Sequence, residues 1–217
     1  MTNFTHIWCL LLLIVSATVA EKLLFSPKYL STQGGMSKDC EISADDSIEC
    51  DHSTKFQRLL SVPLGAFLYH VVADITIGVN PKYGNTTDSD FWIVLSDGSQ
   101  AIGFFVLDRY NYKSYEPCVH AQGTPGASFT NRKVMHYGPL IETSNPYPQT
   151  YNFLISTHQQ AGTCQTATAV EGAYTTAGLY STTLTLGKPI TLDIYSDDEA
   201  GEKNNFRYIA VDIHVGI

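Results

Sequence analysis

Charge is scarce in this sequence, and positive charge is scarcer still. Of 217 residues only 16% are charged, with 13 Lys and Arg against 21 Asp and Glu and a formal net charge of −8. That balance excludes duplex nucleic acid and anionic lipid as main partners, because neither phosphate array would meet a basic surface. Low complexity and internal repeats are absent as well, and with 44% apolar and 12% aromatic residues the chain is not of the composition that stays unfolded. No stretch repeats its apolar residues at three and four, which excludes an amphipathic helix as a main element. The usual marks of catalysis are missing: there is no Gly-x-Ser-x-Gly elbow, no His-Glu-x-x-His and no phosphate-binding glycine loop.

Past the first twenty residues no apolar run approaches the ~20 residues needed to span a bilayer. Met1 to Ala20 itself carries no Asp, Glu, Lys or Arg, and Ile7 to Val15 is apolar throughout before the small residues Thr18 and Ala20. This pattern predicts a secretory signal peptide over 1–20, cut before Glu21, and hence a secreted, extracellular protein without a membrane span. Removing it leaves Cys40, Cys50, Cys118 and Cys164. An even number of cysteines in an oxidising compartment predicts two disulfides. Of the three connectivities Cys40–Cys50 with Cys118–Cys164 is favoured, since the first pair closes a short local loop. Zinc is disfavoured: no Cys-x-x-Cys occurs, and His52, His70, His120, His136, His158 and His214 lack paired ligand spacing. Asn85, followed by Thr86 and Thr87, is the one glycosylation acceptor of the mature chain.

What the chain does have is period-two alternation. From Phe67 to Val79 every second residue is apolar, which predicts one long strand with a core-facing side. Asp90–Leu95 and Gln100–Leu107 read as a hairpin about Asp97-Gly98, with Ile93 opposite Ile102, Phe91 opposite Phe104 and Trp92 over Gly103; both of its faces are apolar, so it is expected to be central. A second hairpin is expected at the C-terminus, pairing Ile190 with Val211, Leu192 with Ile209, Asp193 with Tyr208 and Tyr195 with Phe206. Further strands are expected at 55–62, 134–137, 150–156, 163–170 and 174–186. The fold class that follows is all-β, an antiparallel two-sheet β-sandwich of jelly-roll type over residues 55–217, preceded by an irregular acidic segment, 21–54, pinned by the first disulfide.

Chemistry is expected in three places. Asp39, Glu41, Asp45, Asp46 and Glu49 crowd a short disulfide loop, and Asp197, Asp198 and Glu199 crowd the connection before the last strand. Clustered carboxylate oxygens suit a hard cation, so calcium is the candidate ligand of both, as an ion or at a mineral surface. Asp193, Tyr195, Phe206 and Tyr208 are expected on the outward face of the C-terminal hairpin, where aromatic planes beside a carboxylate would suit glycan rings. A polysaccharide-processing enzyme remains an alternative, since paired carboxylates can converge from separate strands without a motif. Its candidate acid–base groups are His70 with Asp74, Asp212 with His214, and Asp193.

The runs from Phe91 to Phe105, from Ile190 to Ser196 and from Phe206 to Val215 resemble the concanavalin A-like sandwiches of the legume-lectin and laminin-G type. The likeness spans roughly residues 55–217 and includes no diagnostic metal-ligand motif, so it carries no binding residue over. The block from Ser96 through Asp108-Arg109-Tyr110-Asn111-Tyr112 to Cys118, with Gln122 to Gly126 after it, is similar to secreted sponge and coral proteins, some of them from coral skeletal organic matrix. That resemblance implies an acidic extracellular matrix role. The functional expectation is therefore a non-catalytic matrix-type protein meeting calcium, mineral or glycan, with a soluble lectin as the alternative.

Overall fold

The computed structural model describes residues 20–25, 35–51, 57–79, 91–109, 114–125, 133–136, 141–142, 150–157, 159–168, 172–196 and 203–215. Every regular element among them is a strand. One sheet, here sheet A, runs in the order β13 (Gly172–Leu179), β12 (Ala161–Thr168), β11 (Thr150–Ser156), β5 (Val71–Val79), β15 (Lys203–Val215), β3 (Ile48–Asp51) and β2 (Cys40–Ile42), with β1 (Ala20–Phe25) also on β15. Sheet B runs β10 (Ile141–Glu142), β8 (Ser114–Gly123), β7 (Ala101–Arg109), β6 (Phe91–Ser96), β14 (Pro189–Ser196) and β4 (Arg58–Ala66), with β9 (Lys133–His136) also on β8. All pairings between strands are antiparallel. The expected two-sheet sandwich is the fold, and both disulfides form as expected, Cys40–Cys50 and Cys118–Cys164.

Alternation explains the core. Ile75, Ile77, Phe153, Ile155, Ile209 and Val211 of sheet A meet Phe91, Ile93, Leu95, Phe104, Leu192 and Ile194 of sheet B, all fully or almost fully buried. Phe91 packs edge-on against both Tyr151 and Phe206, its ring centroid 5.7 and 5.5 Å from theirs. Sheet B is apolar on its other face as well, where Trp92, Val94, Phe105, Val119 and Tyr195 form a second buried cluster. That is the double cover expected of the central hairpin: every residue of β6 is buried.

Three expectations about pairing are corrected. The β6–β7 turn is centred on Gly98-Ser99 rather than Asp97-Gly98, so each partner shifts by two: Ile93 faces Phe104, Val94 faces Gly103, and Trp92 faces Phe105 and stacks on it at 4.3 Å. A shift of two leaves every side chain on its expected face. Strands β14 and β15 do not form a hairpin: β14 lies between β4 and β6 in sheet B, whereas β15 lies in sheet A. Their apolar residues meet across the core instead of side by side, because alternation specifies which face is buried and not which strand is the neighbour. The long strand breaks at the chain reversal 67–70, so β4 runs on to Ala66 and β5 starts only at Val71. Residues 21–54, expected to be irregular, contribute β1, β2 and β3 to sheet A. Residues 1–19, where the signal peptide is expected, lie outside the described residues.

The turn is centred where it is because Asp97 caps it. Gly98 takes a φ of +83°, which favours glycine. One carboxylate oxygen of Asp97 accepts from the Ser99 and Gln100 amides, both at 2.8 Å, and from the Ser99 hydroxyl at 2.7 Å; the other accepts from the Thr185 amide at 2.7 Å. Burial opposes ionisation of this carboxyl, but the hydrogen bonds from Ser99, Thr185 and Gln100 outweigh it and hold the group well below the usual carboxylate range. A depressed folded-state pKa stabilises the protein above the unfolded value of ~3.9, and that contribution disappears as pH falls below it toward the folded value. Asp97→Ala is therefore expected to cost about 2–3 kcal/mol at neutral pH and to flatten the acid limb of a plot of unfolding free energy against pH.

Candidate binding surface

The acidic loop is a hairpin with its carboxylates on one side. Ile48 and Cys50 face the core, so Glu49 and Asp51 face outward; Glu41 lies opposite Glu49, and the Asp51 amide bonds the Asp39 carbonyl at 2.9 Å. Asp39, Glu41, Glu49 and Asp51, with Lys38 and Cys40, line a cleft of about 290 Å³. Asp45 and Asp46 serve the turn instead. The Asp45 carboxylate accepts from the Ser43 and Ser47 hydroxyls, Ser43 contributing more, which holds it down to about 2; Asp46 takes a φ of 62°. Among the described residues no group of three acidic, His or Cys side chains converges as a metal site. Asp51 is the sixth carboxylate of the acidic run 39–51, and its position two residues after Glu49 in a strand puts it on the same side. Asp197, Asp198, Glu199 and the Asn85 acceptor lie outside the described residues.

The aromatic platform expected of the C-terminal hairpin is not assembled. Tyr195 and Phe206 are 1% and 0% exposed and belong to different sheets. Asp193 is buried beside Tyr195, accepting from the Ser61 hydroxyl at 2.6 Å and the Tyr195 hydroxyl at 3.4 Å. Tyr208 lies on β15 opposite Gly78. The physical reason is the double cover of sheet B: what alternation marks as the outer face of β14 is itself packed over.

Sheet A carries the solvent-facing polar surface. On its outer side Thr175, Gln165, Asn152 and Thr76 occupy directly opposite positions on β13, β12, β11 and β5, and the next row runs Ala177, Thr163, Leu154, Asp74 and Asp212. Rows of this kind place neighbouring side chains roughly 5 Å apart. The Asn152 amide nitrogen donates to Asp74 at 2.9 Å and meets the Thr76 hydroxyl at 3.1 Å. Asp74 and Asp212 are directly opposed, with Lys22 of β1 at the register position beyond Asp212, and His214 stands opposite Val72 one row away. The structure thus brings Asp74, Asp212 and His214 onto one face, while His70 sits in the reversal before β5. Toward the acidic hairpin Asn205 of β15, itself buried, opposes Glu49. Asn152, Thr76, Thr163 and Gln165 were missed at first reading because neutral polar residues on alternate strand positions look like ordinary solvated sheet.

No protein-family model matches the chain, and no curated protein matches it. Among solved structures, the lectin of Bauhinia forficata in complex with GalNAc superposes over 92% of this chain and 99% of its own, with a TM-score of 0.50 and 8% identity. The fold is a concanavalin A-like β-sandwich. A Lotus tetragonolobus seed lectin also matches this concanavalin A-like chain, at a TM-score of 0.47 and 7% identity over 93% of it and 100% of the lectin. An engineered GH43 glycoside hydrolase with endo-xylanase and exo-arabinofuranosidase activity matches at 0.49 and 11% identity, over 80% of this chain and 35% of its own. The likeness to the Bauhinia lectin shows the fold alone, and none of the three bears on the sponge and coral proteins.

Proposed function

We propose that this protein is a secreted, non-catalytic extracellular protein of the matrix type that binds glycans through the outer face of sheet A. The observation that carries the reading is the hydrogen-bonded group Asn152, Asp74 and Thr76, set among Thr163, Gln165 and Asp212 on a solvent-facing sheet. Amide donors, carboxylate acceptors and hydroxyls at regular spacing match the hydroxyl edges of a saccharide, and a rigid sheet holds them without ordering cost. A retaining or inverting hydrolase needs one carboxyl group withdrawn from water. Asp74 and Asp212 both remain only half-buried on the open sheet, which favours binding over turnover. A glycan array run with and without calcium tests the reading. Asn152→Ala and Asp74→Ala are each expected to weaken the best ligand about tenfold, the worth of one or two hydrogen bonds. A parent protein that binds no glycan, or variants that bind as tightly as it does, would refute it.

A second reading rests on the acidic hairpin. Four outward carboxylates line its cleft without any three converging among the described residues, which suits an array of cations, as at a mineral surface, better than one chelated ion. Glu41 and Glu49 occupy directly opposite positions. Glu49→Gln is therefore expected to reduce adsorption to calcium carbonate by removing one of the four carboxylates. Equal adsorption of parent and variant would remove this reading.

A further inference from the structure

Among the described residues five large apolar side chains stand in solvent, and four of them are at one end of the sandwich. Leu68 and Tyr69, 76% and 66% exposed, form the reversal between β4 and β5; Leu179, 70% exposed, ends β13; and Leu186, 45% exposed, lies in the 180–188 loop, whereas Ile42 is on β2. These chain reversals share one end because Pro189 at the start of β14 pairs with Ala66 at the end of β4, and Leu179 pairs with Ala161 at the start of β12. They are tied to one another. The Gly187 amide bonds the Phe67 carbonyl at 2.6 Å, the Thr185 amide bonds Asp97, and the Ser181 amide bonds the Gln122 side chain at 2.9 Å.

Among the described loop residues at this end the Asp, Glu, Lys and Arg side chains are Asp97 and Lys188, with Glu21 of β1 nearby at the register position of Ile213. Asp97 has both carboxylate oxygens engaged within the loops, and the exposed Lys188 ammonium donates to the Ser99 hydroxyl at 3.2 Å. The carboxylates of the acidic hairpin lie toward the opposite end: Asp51 pairs with Lys203 at the start of β15, whereas Val71, next to the reversal, pairs with Val215 at its end.

We propose that this end is a lipid-contacting tip, and that Leu68, Tyr69, Leu179 and Leu186 enter the interfacial layer of a zwitterionic phosphocholine bilayer. The four side chains come from two separate chain reversals, 67–70 and the β13–β14 connection, and an interface accepts such projections one by one, whereas a protein partner must supply matching pockets. A tyrosine suits the headgroup layer, with an apolar ring and a polar hydroxyl. Lys188 is placed to reach phosphate oxygens from the edge of the patch. The net charge of −8 repels anionic lipid, which selects a zwitterionic surface, and entry by this end keeps the acidic hairpin in water. Because the loops are already tied down, insertion orders nothing further.

Flotation of the mature protein with phosphatidylcholine vesicles is the test. The parent is expected to float with the vesicles, and replacing part of the lipid by phosphatidylserine is expected to weaken the association. Leu68→Ser and Leu186→Ser should each reduce partition about tenfold, the transfer worth of one leucine side chain, with thermal unfolding and any glycan binding unchanged. Leu179→Ser, on a different strand, is an independent variant with the same expected loss. A parent that stays in the aqueous layer, or variants that float as it does, would overturn the proposal. So would a dimer of the parent that Leu68→Ser dissociates, which would assign the tip to a second copy, or loss of glycan binding in Leu68→Ser, which would make the tip a sugar site.

Discussion

Gly103→Ala is expected to destabilise the protein by about 4 kcal/mol or more, a large share of the roughly 5–15 kcal/mol that holds a domain folded. A methyl group on Gly103 would stand 1.9 Å from the Ile93 carbonyl oxygen and 2.7 Å from the Val94 Cα, contacts with backbone that no rotamer change relieves. At this point β7 approaches β6 too closely for any side chain, in the middle of the fully buried central hairpin. The Gly103 carbonyl also accepts from the buried Tyr180 hydroxyl at 3.1 Å, so a displaced strand would strand a polar group in the core. Gly98→Ala makes an informative contrast. Nothing lies within 4 Å of the added carbon there, so the cost is only the strain of a positive φ, about 1 kcal/mol. Urea denaturation of the two variants measures the difference, and a Gly103→Ala midpoint equal to that of Gly98→Ala would show that the hairpin packs otherwise.

The second large loss is expected on removing Cys118–Cys164. This bridge joins β8 of sheet B to β12 of sheet A through the core and spans a sequence separation of 46, against 10 for Cys40–Cys50. Closing loops of these lengths lowers unfolded-state entropy by an amount worth about 4 and about 3 kcal/mol respectively. The double variant Cys118→Ala/Cys164→Ala also loses buried sulfur contacts, since both residues are fully buried, and is expected to fall further than Cys40→Ala/Cys50→Ala. Denaturant midpoints of the two double variants check the order, and thiol titration of the native parent should find no reactive sulfhydryl. Equal losses, or the larger loss at the short loop, would contradict it.

The candidate surface was only partly legible in the residues. Asp74, Asp212 and His214 could be placed on faces of their strands by counting alternate positions, and their common face follows once β5 and β15 pair. Asn152 and Thr76 could not be singled out, because their role depends on β11 lying beside β5, a pairing between segments some 75 residues apart. Tyr195, Phe206 and Asp193 show the opposite error. Reading β14 and β15 as one hairpin made a shared outer face of residues that the fold sends to separate sheets and buries.

Local chemistry settled the all-β class, the inward set of each strand and the apolar character of both faces of β6, and it favoured the cysteine pairing that the fold then fixed. Each depends on spacing along the chain, and a period of two survives any choice of partner. Strand order, the two-residue displacement of the β6–β7 register, the crossing from β14 to β15 between sheets and the open polar side of sheet A came only with the assembled sandwich. Those features depend on which distant segments exclude water from one another, and many sequences of identical alternation satisfy that requirement with different neighbours.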